Sequence, residues 1–391
     1  MVSRVYLDHA ATTQLRPEAA QAWLEAGSNV GNASSLHTSG RAARRIVEQA
    51  RESIAEDLDV RPSAVVFTGG GTESDNLAVK GLYWARCKEL GHSPLGIVTS
   101  AIEHHAVLDP VIWLRDHEGA AIHFLAVDSI GVVDVVQLEE LLAHGGIALV
   151  SIMWANNEIG TIQPVREIAS ICQKYSVPFH TDAVQAFGQI ELELSQLGAT
   201  AVTLSSHKIG GPVGVGALII DPHAKVTPIL HGGGQEREIR SGTLDPASIA
   251  AFAVASRLAT RNVAEHVREL RELQEYLINA VQVAVPEARL NGPYSGDARL
   301  PNNTHFSFPG CEGDSLLMLL DAAGIDCSTG SACTAGIPEP SHVLLAMGVD
   351  EKTARASLRF SLGRDSSKEE IDILAHALPG AVERAIRAGS L

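Results

Sequence analysis

Seven short apolar runs recur along the first 220 residues: "AVVFT" (64–68), "GIVTS" (96–100), "AIHFL" (121–125), "IALVSIM" (147–153), "VPFHT" (177–181), "AVTLS" (201–205) and "GALII" (216–220). Each is too short for a typical helix, so each reads as a buried strand. Amphipathic stretches such as "TESDNLAVKGLYWARCKEL" and "VREIASICQKY" lie between most of them. A strand that returns through a helix to the next strand needs a parallel crossover. The alternation therefore predicts an α/β domain with a mostly parallel seven-stranded sheet covered by helices on both faces.

The pattern changes after about residue 255, where "HVRELRELQEYLINAVQ" is a long charged amphipathic helix followed by the Pro- and Gly-punctuated "VPEARLNGPYSGDARLPNN". We expect a large domain over 17–255, a smaller α+β domain over 256–391, and an N-terminal arm (1–16) folded against the smaller domain or the cleft. Hydrophobic residues at 45% are enough to fill two cores, and charged residues at 19% are too few for a disordered chain. Acidic residues outnumber basic ones 46 to 30, so the formal net charge of −16 argues against direct nucleic-acid binding and leaves room for a basic protein partner.

No run has the length of a membrane span, and the opening "MVSRVYLDHAATT" lacks the apolar core of a signal peptide, so the expectation is a cytoplasmic protein that binds no membrane. The five cysteines are odd in number, widely spread and without a CxxC pair. A disulfide framework is not expected, and neither is a metal.

In open α/β sheets ligands bind beyond the carboxyl ends of the strands, so the residues after each run are the place to look for chemistry. "GGGTES" follows the first run, a glycine turn opening a helix whose backbone N–H groups suit an anion, with Thr72 adding a hydroxyl; it is not the GxGxxG of a dinucleotide site. "AIEHHAV" follows the second and carries His104 beside His105. Neighbours in an extended segment point opposite ways, so at most one faces a cleft. "NNEIG" after the fourth run offers two amides and a carboxylate where an ordinary solvated loop would serve equally.

"DAVQ" places Asp182 at the end of an apolar strand with Gln185 three residues on, and "SHKIGGP" places Ser205, His207 and Lys208 at the next strand end. A desolvated carboxylate needs a cationic partner. Each motif alone has an ordinary explanation as a turn, a cap or a loop cation. Together they match one demand: a pyridoxal phosphate site, with phosphate on a helix N-terminus, a carboxylate on the pyridinium nitrogen and a lysine Schiff base.

The motifs "YLDHAATT" (6–13), "GNASSLH" (31–37), "GGGTESDN" (69–76), "EHHAVLD" (103–109), "NNEIG" (156–160), "DAVQ" (182–185), "SSHKIGGP" (205–212), "RSGTL" (240–244), "GSACTAG" (330–336) and "LRFSLGR" (358–364) resemble those of cysteine desulfurases of the NifS/IscS type. These are pyridoxal 5'-phosphate enzymes of the class V aminotransferase group, with an aspartate aminotransferase-like fold. The resemblance implies that Lys208 carries the cofactor as a Schiff base, that His104 stacks on its ring and moves protons, and that Asp182 holds the pyridinium proton. It gives Gln185 and Asn157 to the side of the phenolic oxygen. Gly71, Thr72, Ser205 and His207 would bind phosphate, joined by Thr243 from a second subunit of a homodimer. Asn32 and Arg359 would hold the carboxylate of L-cysteine, a task that suits the guanidinium fork.

It further implies that Cys333, in "CSTGSACTAG" (327–336), takes the substrate sulfur as a persulfide, releases L-alanine and hands the sulfur to an acceptor protein, such as an iron–sulfur scaffold or a tRNA-thiolation enzyme. Serine could not hold or relay that sulfur. Selenocysteine lysis or another class V reaction is the alternative, although transamination has no use for the thiol. Residues 328–340 read as a mobile arm, because their small residues offer little to pack against. Cys87 and Cys172 fall in helical patterns and read as core residues. Cys311 can lie on either side of burial, and Cys327 reads as a strand residue, with a resolving thiol the lesser alternative.

Overall fold

The computed structural model describes residues 4–91, 94–294, 296–330 and 340–388. Strand β1 (Val5–Tyr6) opens the chain, followed by β2 (Val65–Thr68), β3 (Gly96–Ser100), β4 (Ala121–Leu125), β5 (Ile147–Ser151), β6 (Phe179–Asp182), β7 (Ala201–Ser205) and β8 (Gly216–Ile220). β2 to β8 form one seven-stranded sheet in the order β2-β8-β7-β6-β5-β3-β4. Only β8 runs against its neighbours, so the sheet is mostly parallel, as its alternating strands and helices require.

Successive residues of the central strands feed different cores. Val202, Leu204, Ala217 and Ile219 pack on one face, and Ala201, Leu218 and Ile220 on the other. "AIHFL" departs from the expectation of a buried strand: β4 is the sheet edge, and Ala121 and Phe124 are exposed there.

Helices α1 (Pro17–Gly27), α2 (Thr38–Asp57), α3 (Gly71–Leu90) and α4 (His105–Glu118) follow in chain order. α3 is not the amphipathic surface helix expected of it. Ser74, Asp75, Leu77, Ala78, Val79, Leu82 and Tyr83 are all buried, because the segment around Thr227 lies over its outer side. The approach is close at Gly81, where a Cβ would come within 2.7 Å of the Thr227 carbonyl oxygen.

After the long helix Val263–Ala284, the remaining strands are β9 (Arg289–Leu290), β10 (Asn303–Ser307), β11 (Ile325–Asp326) and β12 (Ser357–Ser361). They make an antiparallel sheet β12-β10-β9 and a parallel pair β1-β11. A separate core joins Leu277, Phe306, Phe360 and Leu374 to Val5 and Leu7 of the N-terminal arm. Among the described residues, no helix is long and apolar enough to cross a membrane, and no group of three His, Cys, Asp or Glu side chains is placed to hold a metal.

Candidate active site

The carboxyl ends of β2, β6 and β7 lie side by side in register around β8, with Asp182 opposite Thr203 and both Thr68 and Ser205 opposite Gly216. A cavity of about 260 Å³ opens there, and Gly71, Thr72, His104, Asn157, Asp182, Gln185, Ser205, His207 and Lys208 all line it. Asn32, Thr243 and Arg359 are not among its lining residues. Asn32 and Thr243 are exposed on the surface of their own chain, while Arg359 is buried in β12.

One end of the cavity suits an anion. α3 begins at Gly71 with no side-chain cap on its first turn, so the N–H groups of this partly exposed helix start face a ligand or solvent. A Cβ on Gly71 would stand 3.1 Å from Val184 Cγ2 and narrow this cradle.

The other end suits a cation. Asp182 closes β6, accepts the Val184 N–H at 2.9 Å, and is pushed up to about 6 by desolvation, against the pull of that N–H and of Lys208. Asp75 lines the same end, also fully buried, with an Oδ1 that has no hydrogen-bond partner among the described residues. Burial and the nearby Asp182 raise its carboxyl well above the ordinary range.

His104 is the N-cap of α4, where its Nδ1 accepts the Ala106 N–H at 3.1 Å. A backbone N–H can only donate, so Nδ1 is unprotonated and the neutral ring carries its proton on Nε2. Burial first, then Lys208 and the other histidines, lowers His104 to about 4. His105 turns away to an exposed contact with Asp109 at 3.0 Å, so only the first of the two adjacent histidines meets the cavity.

Lys208 stands in the single turn His207–Ile209 directly after β7. Its Nζ donates to the Ala10 and Ala11 carbonyl oxygens at 2.6 and 2.8 Å, and Gln185 Nε2 donates to the same Ala10 oxygen at 3.0 Å. Desolvation, helped by Arg359 and opposed by Asp182, lowers the ammonium to about 8. A lysine that loses its proton this readily can act as a nucleophilic amine near neutral pH.

Arg359 Nη2 pairs with Asp8 at 2.7 Å, Nη1 donates to the Asn157 carbonyl oxygen at 2.8 Å, and Nε is buried without a partner. One of the three guanidinium nitrogens thus lacks an acceptor and leaves a donor for a carboxylate. Asp8, Asp75 and the carbonyls of Ala10 and Ala11 escape a reading of the sequence. Asp8, Ala10 and Ala11 fall in "YLDHAATT" and Asp75 in "GGGTESDN", but nothing local in either motif singles them out.

Cys333 and most of the segment 328–340 lie outside the described residues, so its expected mobility is untouched here. At its start, Ser328 pairs with Arg359 in an antiparallel bridge, so the chain is still held to β12 there. Cys87, Cys172, Cys311 and Cys327 are free thiols, the first three buried and Cys327 half-buried. Burial pushes Cys172 and Cys327 up to about 12 and Cys311 to about 11.

A buried carboxylate at one end, a bare helix start at the other, and a lysine with a depressed pKa between them fit pyridoxal phosphate. Comparison with known proteins agrees. The class V aminotransferase family model matches residues 5–374. The chain is 53% identical to an IscS-like cysteine desulfurase of Mycobacterium tuberculosis, over 98% of this chain and 97% of that protein. Among solved structures, a NifS-like protein from Rickettsia africae superposes with a TM-score of 0.86 at 35% identity, covering 97% of this chain and 99% of its own. SspA, solved in complex with cysteine, superposes at 0.78 with 32% identity, covering 91% of this chain and 98% of its own. The chain belongs to the class V aminotransferases and, within them, to the cysteine desulfurases of the NifS/IscS type.

Proposed function

We propose that this cysteine desulfurase acts on L-cysteine with pyridoxal 5'-phosphate held in the 260 Å³ cavity, and that its sulfur leaves through Cys333. The observation that carries the reading is the half-buried Lys208, lowered to about 8, in one cavity with the buried Asp182. The SspA complex with cysteine supports the choice of substrate. When bound, the cofactor supplies a covalent electron sink for the substrate's α- and β-carbons.

In this reading Lys208 Nζ holds the cofactor, and Asp182 holds the proton of its ring nitrogen. Gly71, Thr72, Ser205 and His207 take the phosphate with Thr243 of a second copy of the chain, in a homodimer. Asn157 and Gln185 bind on the phenolic side. His104, neutral with its proton on Nε2, packs over the ring and moves protons. Arg359 and Asn32 hold the substrate carboxylate, and Lys208 Nζ takes up and returns the α-proton once freed.

The Cys333 thiolate then attacks the substrate sulfur. An S–S bond forms, the Cβ–S bond breaks, and its electron pair stays with the three-carbon remainder, which takes up a proton and leaves as L-alanine. The persulfide passes to an acceptor protein of iron–sulfur assembly or tRNA thiolation in the cytoplasm. We divide the chain into the arm 1–16 and the domains 17–255 and 256–391, supported by the separate core that the arm shares with the C-terminal elements.

Purified protein given pyridoxal phosphate and L-cysteine should turn yellow and form alanine, with sulfide under reductant. Cys333→Ser should keep the colour and lose turnover. A colourless, inactive wild type sinks the reading as a whole, and a Cys333→Ser variant as fast as wild type sinks the role of Cys333.

A further inference from the structure

Glu158 is 1% exposed, belongs to the turn "NNEIG" after β5, and has no part in the chemistry described above. Its backbone N–H is held by the Asn156 side-chain oxygen at 2.8 Å, and Asn156 Nδ2 in turn donates to the Ile102 carbonyl oxygen at 2.9 Å. The carboxylate is therefore rigidly mounted on the carboxyl edge of the large sheet, beside Asn157.

Two segments far apart in the chain meet this one carboxylate. Ser341 Oγ donates to Glu158 Oε2 at 2.5 Å while accepting the Leu344 N–H at 3.1 Å, which caps the short helix His342–Ala346. That helix buries Val343 and Leu344 against Ile102, Met153 and Ile159. His342 Nε2 donates to the Glu103 carbonyl oxygen at 3.0 Å, and its Nδ1 lies 4.0 Å from Glu158 Oε1.

From the other side comes Gly330, with φ at +86°, so close that a Cβ there would lie 3.3 Å from both Glu158 Cγ and Oε2. Gly330 and Ser341 flank the segment that contains Cys333. A buried carboxylate needs such partners, because an ionised group without donors is strongly penalised.

We propose that Glu158 is a positioning residue for the sulfur-transfer step, tying the far end of the Cys333 segment through Ser341, and packing against its near end at Gly330, on the edge of the sheet that forms the cofactor cavity. The proposal rests on the functional reading above. Glu158 touches neither substrate nor cofactor; it sets where the segment leaves and rejoins the protein, and hence how often the thiol meets the substrate sulfur.

The test uses the cofactor-loaded full chain and two readouts. L-Cysteine binding is followed as a change in the visible band, and sulfur on Cys333 is followed by mass spectrometry after a single turnover. Glu158→Ala and Ser341→Ala should leave the L-cysteine dissociation constant within about twofold, and lower the rate of persulfide formation roughly 10- to 100-fold, the scale of a misplaced reacting group. Glu158→Gln, whose amide oxygen still accepts from Ser341, should recover a large part of that rate.

Persulfide formation in Glu158→Ala at the wild-type rate overturns the proposal, as does a parallel loss of cysteine binding in a variant that retains the wild-type melting temperature. If instead the wild type itself places no sulfur on Cys333, it is the functional reading that fails.

Discussion

Lys208, Asp182 and Thr72 each stand within a few residues of the carboxyl end of a strand. Arg359, by contrast, is paired with Asp8, 351 residues away along the chain, and Glu158 with Ser341, 183 residues away. The floor of the cavity thus starts from the strand ends of one sheet, although Lys208 also donates across 198 residues to Ala10 of the arm. Its rim is assembled from segments distant in the chain. Changes in the floor should remove the chemistry, whereas changes in the rim should alter which molecules are held and how the step is timed.

The largest expected effect tests the floor. Lys208→Ala should lower alanine formation by more than about 10³-fold, since the residue proposed to anchor the cofactor is lost. Activity within tenfold of wild type would place the essential amine elsewhere.

Arg359→Lys separates floor from rim. A lysine cannot fork onto a carboxylate, so KM for L-cysteine should rise roughly 10- to 100-fold, the worth of a charge-assisted hydrogen bond, with a smaller change in kcat. Steady-state kinetics decide it. A fall in kcat with KM unchanged would move Arg359 from holding the substrate to the chemistry.

The tension in the floor can be read without turnover. Lys208 has a folded-state value of about 8, depressed from 10.5. Its contribution to stability is therefore full above 10.5 and is lost as pH falls through 8. Lys208→Met should stabilise the cofactor-free protein at pH 7 by roughly 3 kcal/mol, and the gap should close as pH rises from about 8 to above 10.5. Denaturant melts at several pH values measure it, and a gap that does not change with pH would show that the ammonium is solvated.

The smallest effect concerns the other thiols. Cys172, Cys311 and Cys327, all raised by burial, should stay unlabelled by iodoacetamide at pH 8 while the protein is folded. Cys327→Ser should change kcat by less than about twofold, and a larger loss would make Cys327 a participant in sulfur transfer.

The same contrast explains what could be read from the amino-acid sequence. Strands end where apolar runs end, so the polar residues that follow, among them Asp182 and Lys208, announce themselves by position. The parallel sheet was legible for the same reason. Glu158 was not, because "NNEIG" looks like any solvated turn until Ser341 and Gly330 are folded onto it. Asp8 gave no sign of its pairing with Arg359, since nothing local in either segment requires it. The burial of α3 was misjudged because part of the chain that covers it, around Thr227, arrives after six more strands and lies beyond any local pattern.

The pairing of Asp8 with Arg359 also has a biosynthetic consequence. Arg359 leaves the ribosome 351 residues after Asp8, so at ordinary rates of synthesis the arm waits roughly 20 to 70 seconds for its partner. A nascent chain can complete the large sheet, whose last strand ends at Ile220, well before Arg359 is made. Under the proposed roles, the residues expected to hold the cofactor are thus synthesised before the one expected to hold the substrate carboxylate, and the order of translation separates the two in time.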